Sequence, residues 1–321
     1  MHRACLLVLL ALPAAWACAH TYTHRRGMAE TPAACHYNHV EAGRDWPDHD
    51  KECSWTCGGH SQSPINVPMK GNKVLDKKFK ANLNFGLATN ISVLNVGHAI
   101  QVEFNEPIGN KASVVYYGDS IYTLYNASSL KASKAHRVKV EPLQFHFHST
   151  SEHLLSGQST LLEFHLVTKL VKTPGVPMPK ECATEDKTCL AVFGVMYDLK
   201  SDPTAVKGDK LVKTILKWLP KNCPSAGRDC VSGVPHWEID LSELIPSSHY
   251  FTYTGSLTTP PCSEGVMWHV FGRVKATLTE QQALDLQTAL STATLDGETV
   301  GNRVNNRVTQ AWNGRTVFVS A

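Results

Sequence analysis

The sequence predicts a mainly β, α+β single domain with helices confined to its periphery, and three observations carry this. From about Cys35 onward short apolar runs alternate with turn residues, helical periodicity surfaces in only a few places, and nothing in the 321 residues resembles a linker between two compact halves. The chain exceeds the roughly 100 to 200 residues of an ordinary domain, so one large unit with room for a sizeable core is expected.

The elements follow in order. His2 and Arg3 precede an apolar run from Leu6 to Trp16, and Ala17, Cys18 and Ala19 complete the organisation of a secretory signal, with cleavage expected after Ala19. The run is well short of the roughly 20 residues that span hydrocarbon, and no later segment reaches that length, so no membrane anchor is expected. Residues 20–34, with His20, His24, Arg25 and Arg26 among small polar residues, read as a mobile arm, and residues 35–321 as the functional domain. Strand-like runs are Ile91 to Val96, Ile100 to Phe104, Val114 to Tyr117, Ile121 to Tyr125, Val138 to His148, Leu161 to Leu170 and Leu190 to Tyr197. Helical spacing appears at Leu211, Ile215 and Trp218. It appears again after Thr279, where Gln282 completes a capping box before Ala283, Leu286 and Leu290.

Of ten cysteines, Cys5 and Cys18 leave with the signal. Cys35, Cys53, Cys57, Cys182, Cys189, Cys223, Cys230 and Cys262 remain, an even set that in an exported chain reads as disulfides. A cysteine zinc site is the rival reading, but no pair of CxxC elements occurs. Asn90 and Asn126 head N-x-S/T acceptors for glycosylation. A net charge of +3 with 18% charged residues and no like-charge block leaves no footprint for nucleic acid. Without an internal repeat, a Gly-rich phosphate loop or a nucleophile elbow, hydride transfer, phosphoryl transfer and serine hydrolysis lose their usual signals.

Chemistry concentrates in Gln144, Phe145, His146, Phe147 and His148. Alternate strand side chains point to opposite faces, so both histidines share a face with Gln144, while Phe145 and Phe147 take the other. Two imidazoles so spaced can converge on one metal ion, or can be incidental to a half-buried strand. The next run puts Glu163, His165 and Val167 on one face, again a histidine with an oxygen acceptor two residues before it. Metal-bound histidines usually donate the second ring N–H to such an acceptor, and Gln144 and Glu163 are placed to receive it. Three neutral imidazoles without thiolate leave a fourth position open, as catalytic zinc requires.

With QSPIN at Gln62 to Asn66, LNVGHA at Leu94 to Ala99, QFHFHSTSEH at Gln144 to His153, EFHLV at Glu163 to Val167 and GSLTTPPCSEGVMW at Gly255 to Trp268, the sequence resembles the alpha-class carbonic anhydrases over Tyr37 to Phe318. The resemblance implies a large, twisted, mostly antiparallel central sheet with zinc at the bottom of a cone. It implies zinc on His146, His148 and His165, oriented respectively by Gln144, the backbone carbonyl of Asn305, and Glu163. Zinc-bound hydroxide would attack carbon dioxide to give bicarbonate. Thr258 is similar to the family's gatekeeper, which accepts a hydrogen bond from the hydroxide and donates one to Glu152. Val167, Val192, Leu257 and Trp268 match the apolar wall for carbon dioxide, with Thr259 beside them in the substrate pocket. His98 matches the proton shuttle and Tyr37 the solvent network.

Val96 and Gln101 stand where relatives often carry water-chain asparagines, and Val308 replaces a common proline. Exported relatives often have cysteines at the positions of Cys57 and Cys262, which implies that bridge. Short separations then favour Cys182 with Cys189 and Cys223 with Cys230, leaving Cys35 with Cys53. An inactive binding or storage protein would keep the same fold, but loss of a zinc histidine, which would signal it, is not seen. A secreted esterase would need no nucleophile beyond the same hydroxide.

Overall fold

The computed structural model describes residue 35 and residues 37–320, except 69–72, 76–79, 123–132, 183–188, 201–208, 221–230, 235–236, 292–293, 296–297 and 300–303. The expected signal at 1–19, the arm at 20–34, Cys223, Cys230, Asn126 and residues 123–125 therefore lie outside the described residues.

A single sheet organises the rest. Its strands in chain order are β1 (Lys73–Leu75), β2 (Ile91–Asn95), β3 (Ile100–Phe104), β4 (Ser113–Tyr117), β5 (Ala135–His148), β6 (Leu162–Val171), β7 (Leu190–Leu199), β8 (Val231–Val234), β9 (Tyr250–Ser256), β10 (Glu264–Phe271), β11 (Lys275–Leu278) and β12 (Val317–Val319). They lie in the order β8-β2-β3-β5-β6-β7-β10-β9-β12-β1, with β4 beside β5 and β11 beside β7. All contacts are antiparallel except β7 with β10, β7 with β11, and β12 with β1. The sheet is thus mixed but mostly antiparallel, as expected.

The period of two fixes what each face carries. Phe145, Phe147, Phe164, Leu166, Phe193, Val195 and Tyr197 point to one side and form the larger core. Two helices lie against it: α1 (Lys210–Trp218), contributing Val212 and Ile215, and α2 (Glu280–Ser291), contributing Leu286 and Leu290. Both starts are capped. Asp209 Oδ1 accepts the Leu211 and Val212 amides at 2.9 and 3.1 Å. Thr279 and Gln282 each accept the other's backbone N–H at 3.2 Å, the reciprocal pair their spacing predicts.

One run departs from expectation. Residues 121 and 122 form a 3-10 turn instead of starting a strand. The Ile121 amide donates to Glu181 Oε2 and its carbonyl accepts from Thr254 Oγ1, so the groups a ladder would use are taken by side chains. Conversely, β9 and β10 carry no alternating pattern in sequence, because Tyr250–Ser256 is buried on both faces and includes Thr252, Thr254 and Ser256.

His269 sits in β10 on the helix-covered side, stacked on Phe193 at 4.8 Å between ring centroids and 1% exposed. Burial lowers its pKa to about 4. The unfolded chain binds a proton near pH 6.5 that the folded state refuses, so the stability contribution is complete above about 6.5 and is lost as pH falls from there toward 4. Replacing His269 with Phe should flatten the pH dependence of urea unfolding between pH 6.5 and 4, by up to about 1.4 kcal/mol per pH unit. Equal slopes for wild type and His269→Phe would show that His269 does not carry this linkage.

Candidate metal centre

The pairing of β5 with β6 sets His146 directly opposite His165, and His148 opposite Glu163. All three histidines are at least 97% buried on the face away from the phenylalanines. Their ring centroids stand 4.9, 5.2 and 4.6 Å apart for the pairs 146–148, 146–165 and 148–165. One nitrogen from each ring falls into a group lying within 4.8 Å.

Each ring has its other nitrogen engaged. Gln144 Oε1 lies 2.9 Å from His146 Nδ1, the Asn305 carbonyl 2.9 Å from His148 Nδ1, and Glu163 Oε1 2.8 Å from His165 Nε2. These are acceptors, so they place the protons on the outer nitrogens and leave lone pairs on His146 Nε2, His148 Nε2 and His165 Nδ1. Burial lowers the pKa of all three, with neighbouring rings adding to this for His146 and His148. His146 Nε2 and His148 Nε2 approach to 3.1 Å with no proton between them in that tautomer, which is the donor set of a cation. Nitrogen donors without thiolate suit zinc, so the residues present fit the metal their pattern implies.

Two carboxylates stand behind the trio, their pKa values pushed in opposite directions. Burial would raise the Glu163 carboxyl, but the His153 and His165 rings hold it well below the usual range. It takes hydrogen bonds on both oxygens, from His153 Nδ1 (2.7 Å) and His165 on one and from the amides of Glu152 and His153 (both 2.8 Å) on the other. Gly194 faces His165 across β6 and β7, and a Cβ there would come within 2.8 Å of Glu163 Oε1. Burial and the nearby Glu163 charge push Glu152 well above the usual range, against the Thr258 hydroxyl and Arg307. Its Oε1 accepts the Arg307 amide at 2.9 Å. Its Oε2 makes no hydrogen bond of ordinary geometry and lies 3.4 Å from His148 Nε2.

Val167, Val192, Leu257 and Trp268 are each at most 3% exposed and share one cluster, which also includes Leu190 and Val266, two residues to which the sequence reading gave no place in the pocket. Thr259 is buried beside them with no hydrogen-bond partner for its hydroxyl. Gln101 faces His146 across the ladder, donates to Glu103 at 2.8 Å and keeps a buried, unbonded Oε1. His98 is half-buried in the turn between β2 and β3, with Val96 at that turn's start. Its ring lies 4.9 Å from that of Tyr37, and its charge bears on His146. Asn90 lies on the surface at the start of β2.

Cys57 is bonded to Cys262 at 2.02 Å, Cys35 to Cys53 and Cys182 to Cys189. Thr56 also donates its amide to the Pro261 carbonyl at 2.9 Å, and Gln62 its Nε2 to that of Cys262 at 3.1 Å. The Thr258 loop is thereby fastened to the QSPIN segment.

Sequence reasoning assigned no role to His153, Tyr253, Ser63 or Arg307. His153 Nε2 lies 2.6 Å from the Tyr253 hydroxyl, which lies 2.8 Å from Ser63 Oγ, so Glu163 is linked to the QSPIN segment through buried groups. Arg307, 1% exposed, donates to Gln62 Oε1, the Ser63 carbonyl and the Cys57 carbonyl at 2.8 to 2.9 Å. The motifs containing His153 and Ser63 were the available signal; Arg307 had only its place beside Asn305.

The sequence profile of the eukaryotic-type carbonic anhydrase family matches residues 42–321. The chain is 32% identical to alpha carbonic anhydrase 8 of Arabidopsis thaliana, over 82% of this chain and 54% of that protein. It is 27% identical to dioscorin DB3S of Dioscorea polystachya, over 88% of this chain and 86% of that one. Its fold is similar to the solved structure of a halotolerant carbonic anhydrase from Dunaliella salina, with a TM-score of 0.63, 24% identity and coverage of 88% of this chain and 97% of that chain. The chain spans about half the length of the Arabidopsis protein and of a curated Dunaliella salina carbonic anhydrase, 54% and 44%.

Gln144→Ala should leave the His146 ring without its outer acceptor and weaken zinc binding by about 10- to 100-fold in competition with a chelator. Undiminished affinity would mean that Gln144 does not orient His146.

Proposed function

Since the chain belongs to the eukaryotic-type carbonic anhydrase family, with residues 42–321 matching it, we propose that it is a zinc enzyme interconverting carbon dioxide and bicarbonate. One observation carries this: three buried imidazole nitrogens converge while the outer nitrogen of each ring faces a fixed acceptor. Bound zinc would supply a Lewis acid that generates a nucleophile from water at neutral pH.

The chain's own residues do the rest. His146, His148 and His165 would hold the metal, and Gln144, the Asn305 carbonyl and Glu163 fix their tautomers. Glu152 would accept a hydrogen bond from the Thr258 hydroxyl, leaving the Thr258 oxygen to act as an acceptor that orients the nucleophile. Val167, Val192, Leu257 and Trp268 exclude water and offer apolar surface to a neutral, linear molecule that gains by leaving solvent. Thr259 faces the polar product. Hydration releases a proton, which His98 carries outward, since an imidazole's ordinary pKa of about 6.5 suits exchange near neutral pH. Tyr37, Val96 and Gln101 line the route.

The domain is one catalytic unit over residues 35–321, exported by the signal at 1–19 and glycosylated at Asn90 and Asn126. Three disulfides support an extracytoplasmic location. No helix among the described residues is long and apolar enough to cross a membrane. Its partners are small molecules. The match to dioscorin favours a second reading, a binding or storage protein without turnover. Measuring zinc content and carbon dioxide hydration on the same purified sample separates the two: stoichiometric zinc without hydration would favour the second.

His165→Ala should lose most bound zinc and abolish hydration, because two protein donors do not hold a catalytic ion; a variant with full zinc and full rate would remove His165 from the metal. His98→Ala should lower kcat in dilute buffer with little change in kcat/KM, and added imidazole should restore it. Unchanged turnover in dilute buffer would assign the proton another exit.

A further inference from the structure

We infer that the side chain of Asn305 is a positioning residue for proton transfer, holding the turn that carries His98 in a fixed place relative to the metal-binding end of β5. The inference rests on the reading of His98 as the proton carrier.

Asn305 is 2% exposed, and its backbone already has partners: its carbonyl faces His148 Nδ1, and its amide donates to the Ser149 carbonyl at 2.7 Å. The side chain adds a second set. Oδ1 accepts the Ser149 amide at 2.7 Å, and Nδ2 donates to the Phe147 carbonyl at 3.1 Å and to the His98 carbonyl at 2.7 Å. One amide therefore grips both residues flanking His148 and the main chain of His98. The group that faces the His148 ring is the backbone carbonyl, so the side-chain bond to His98 is not the one that orients that ring.

The turn is firm within itself. Val96 donates to the Ala99 carbonyl at 3.0 Å and Gly97 to Asn95 Oδ1 at 3.0 Å, while Asn95 Nδ2 reaches the Ala289 carbonyl in α2 at 3.5 Å. Its registration against β5 is a separate matter. The β3–β5 ladder begins only at Ile100 opposite Phe147, so His98 projects beyond it on a turn containing Gly97 at φ +87°. The ring of His98 packs against Tyr37 at 4.9 Å, but its main chain lies beyond the ladder. The Asn305 amide ties the far side of the turn to the strand end that carries His148. Transfer of a proton depends steeply on donor–acceptor placement, and an error of about 1 Å can cost as much as about 100-fold.

A purely structural role, satisfying buried carbonyls, would make the same bonds but would act on stability rather than selectively on proton transfer. Two variants of the zinc-loaded full chain separate the roles. Asn305→Asp keeps the acceptor for Ser149 but sets a carboxylate oxygen against two carbonyls, losing the donor; Asn305→Ala removes the amide and keeps the main-chain carbonyl for His148. For both we expect kcat in dilute buffer to fall about tenfold further than kcat/KM does, and added imidazole to restore that excess loss. Hydrogen exchange of the amides at 96–99 should accelerate with or without zinc. Wild-type kcat in dilute buffer for both variants, or kcat and kcat/KM falling together without imidazole rescue, would overturn the inference. If the wild-type chain with stoichiometric zinc hydrates no carbon dioxide, the enzyme reading fails instead. Exchange at 96–99 then decides alone whether Asn305 holds the turn, and unchanged rates sink the tether. If His98→Ala turns over at the wild-type rate, the positioning inference falls with the carrier.

Discussion

The registration of β5 against β6 is the constraint on which the site depends. With His146 opposite His165 and Phe147 opposite Phe164, one face of the pair receives three imidazoles and the other a wall of aromatic rings. A slip of one residue would exchange those faces, burying imidazoles among phenylalanines and turning the aromatic rings onto the side the histidines occupy. The back-face packing and the histidine face therefore enforce the same register, so the core that stabilises the sheet also aims the three imidazoles.

Glu163 extends that order outward. A buried carboxylate is costly unless every lone pair is engaged, and this one faces two imidazoles and two amides. Because two donors are the amides of Glu152 and His153, the loop after β5 is held at the position that brings Glu152 toward His148. Glu152 has fewer donors and is pushed in the opposite direction. Two carboxylates a short way apart are thus differentiated by their surroundings, one fully satisfied and one with an oxygen turned toward the ligand nitrogens.

Much of this was legible because it is local. The alternation Gln144, His146, His148 and the pair Glu163, His165 exposes a shared face through a period of two, and the Thr279 and Gln282 spacing exposes a helix start. What could not be read depends on residues distant in sequence. Arg307 meets Gln62, Ser63 and Cys57 across 244 to 250 positions, and Tyr253 meets His153 across 100. Strands β9 and β10 lacked alternation because both their faces are covered, and Ile121 resembled a strand although side chains claim its backbone groups. The outer acceptor of His148, a backbone carbonyl, has no side-chain signature and came only through resemblance.

The bond between Cys57 and Cys262 spans 205 positions, and His98, all three zinc-ligand candidates, Glu152 and Thr258 lie within the ring it closes. That ring contains surface turns such as residues 156–159, where a protease could enter. A single cut there would open the ring without dividing the molecule: the two pieces would remain covalently joined, with His146 and His148 on one and His165 and Thr258 on the other. On a denaturing gel the nicked chain would run as one species until reductant was added. For a protein exposed to proteases, damage to the backbone and loss of the assembled site become separate events.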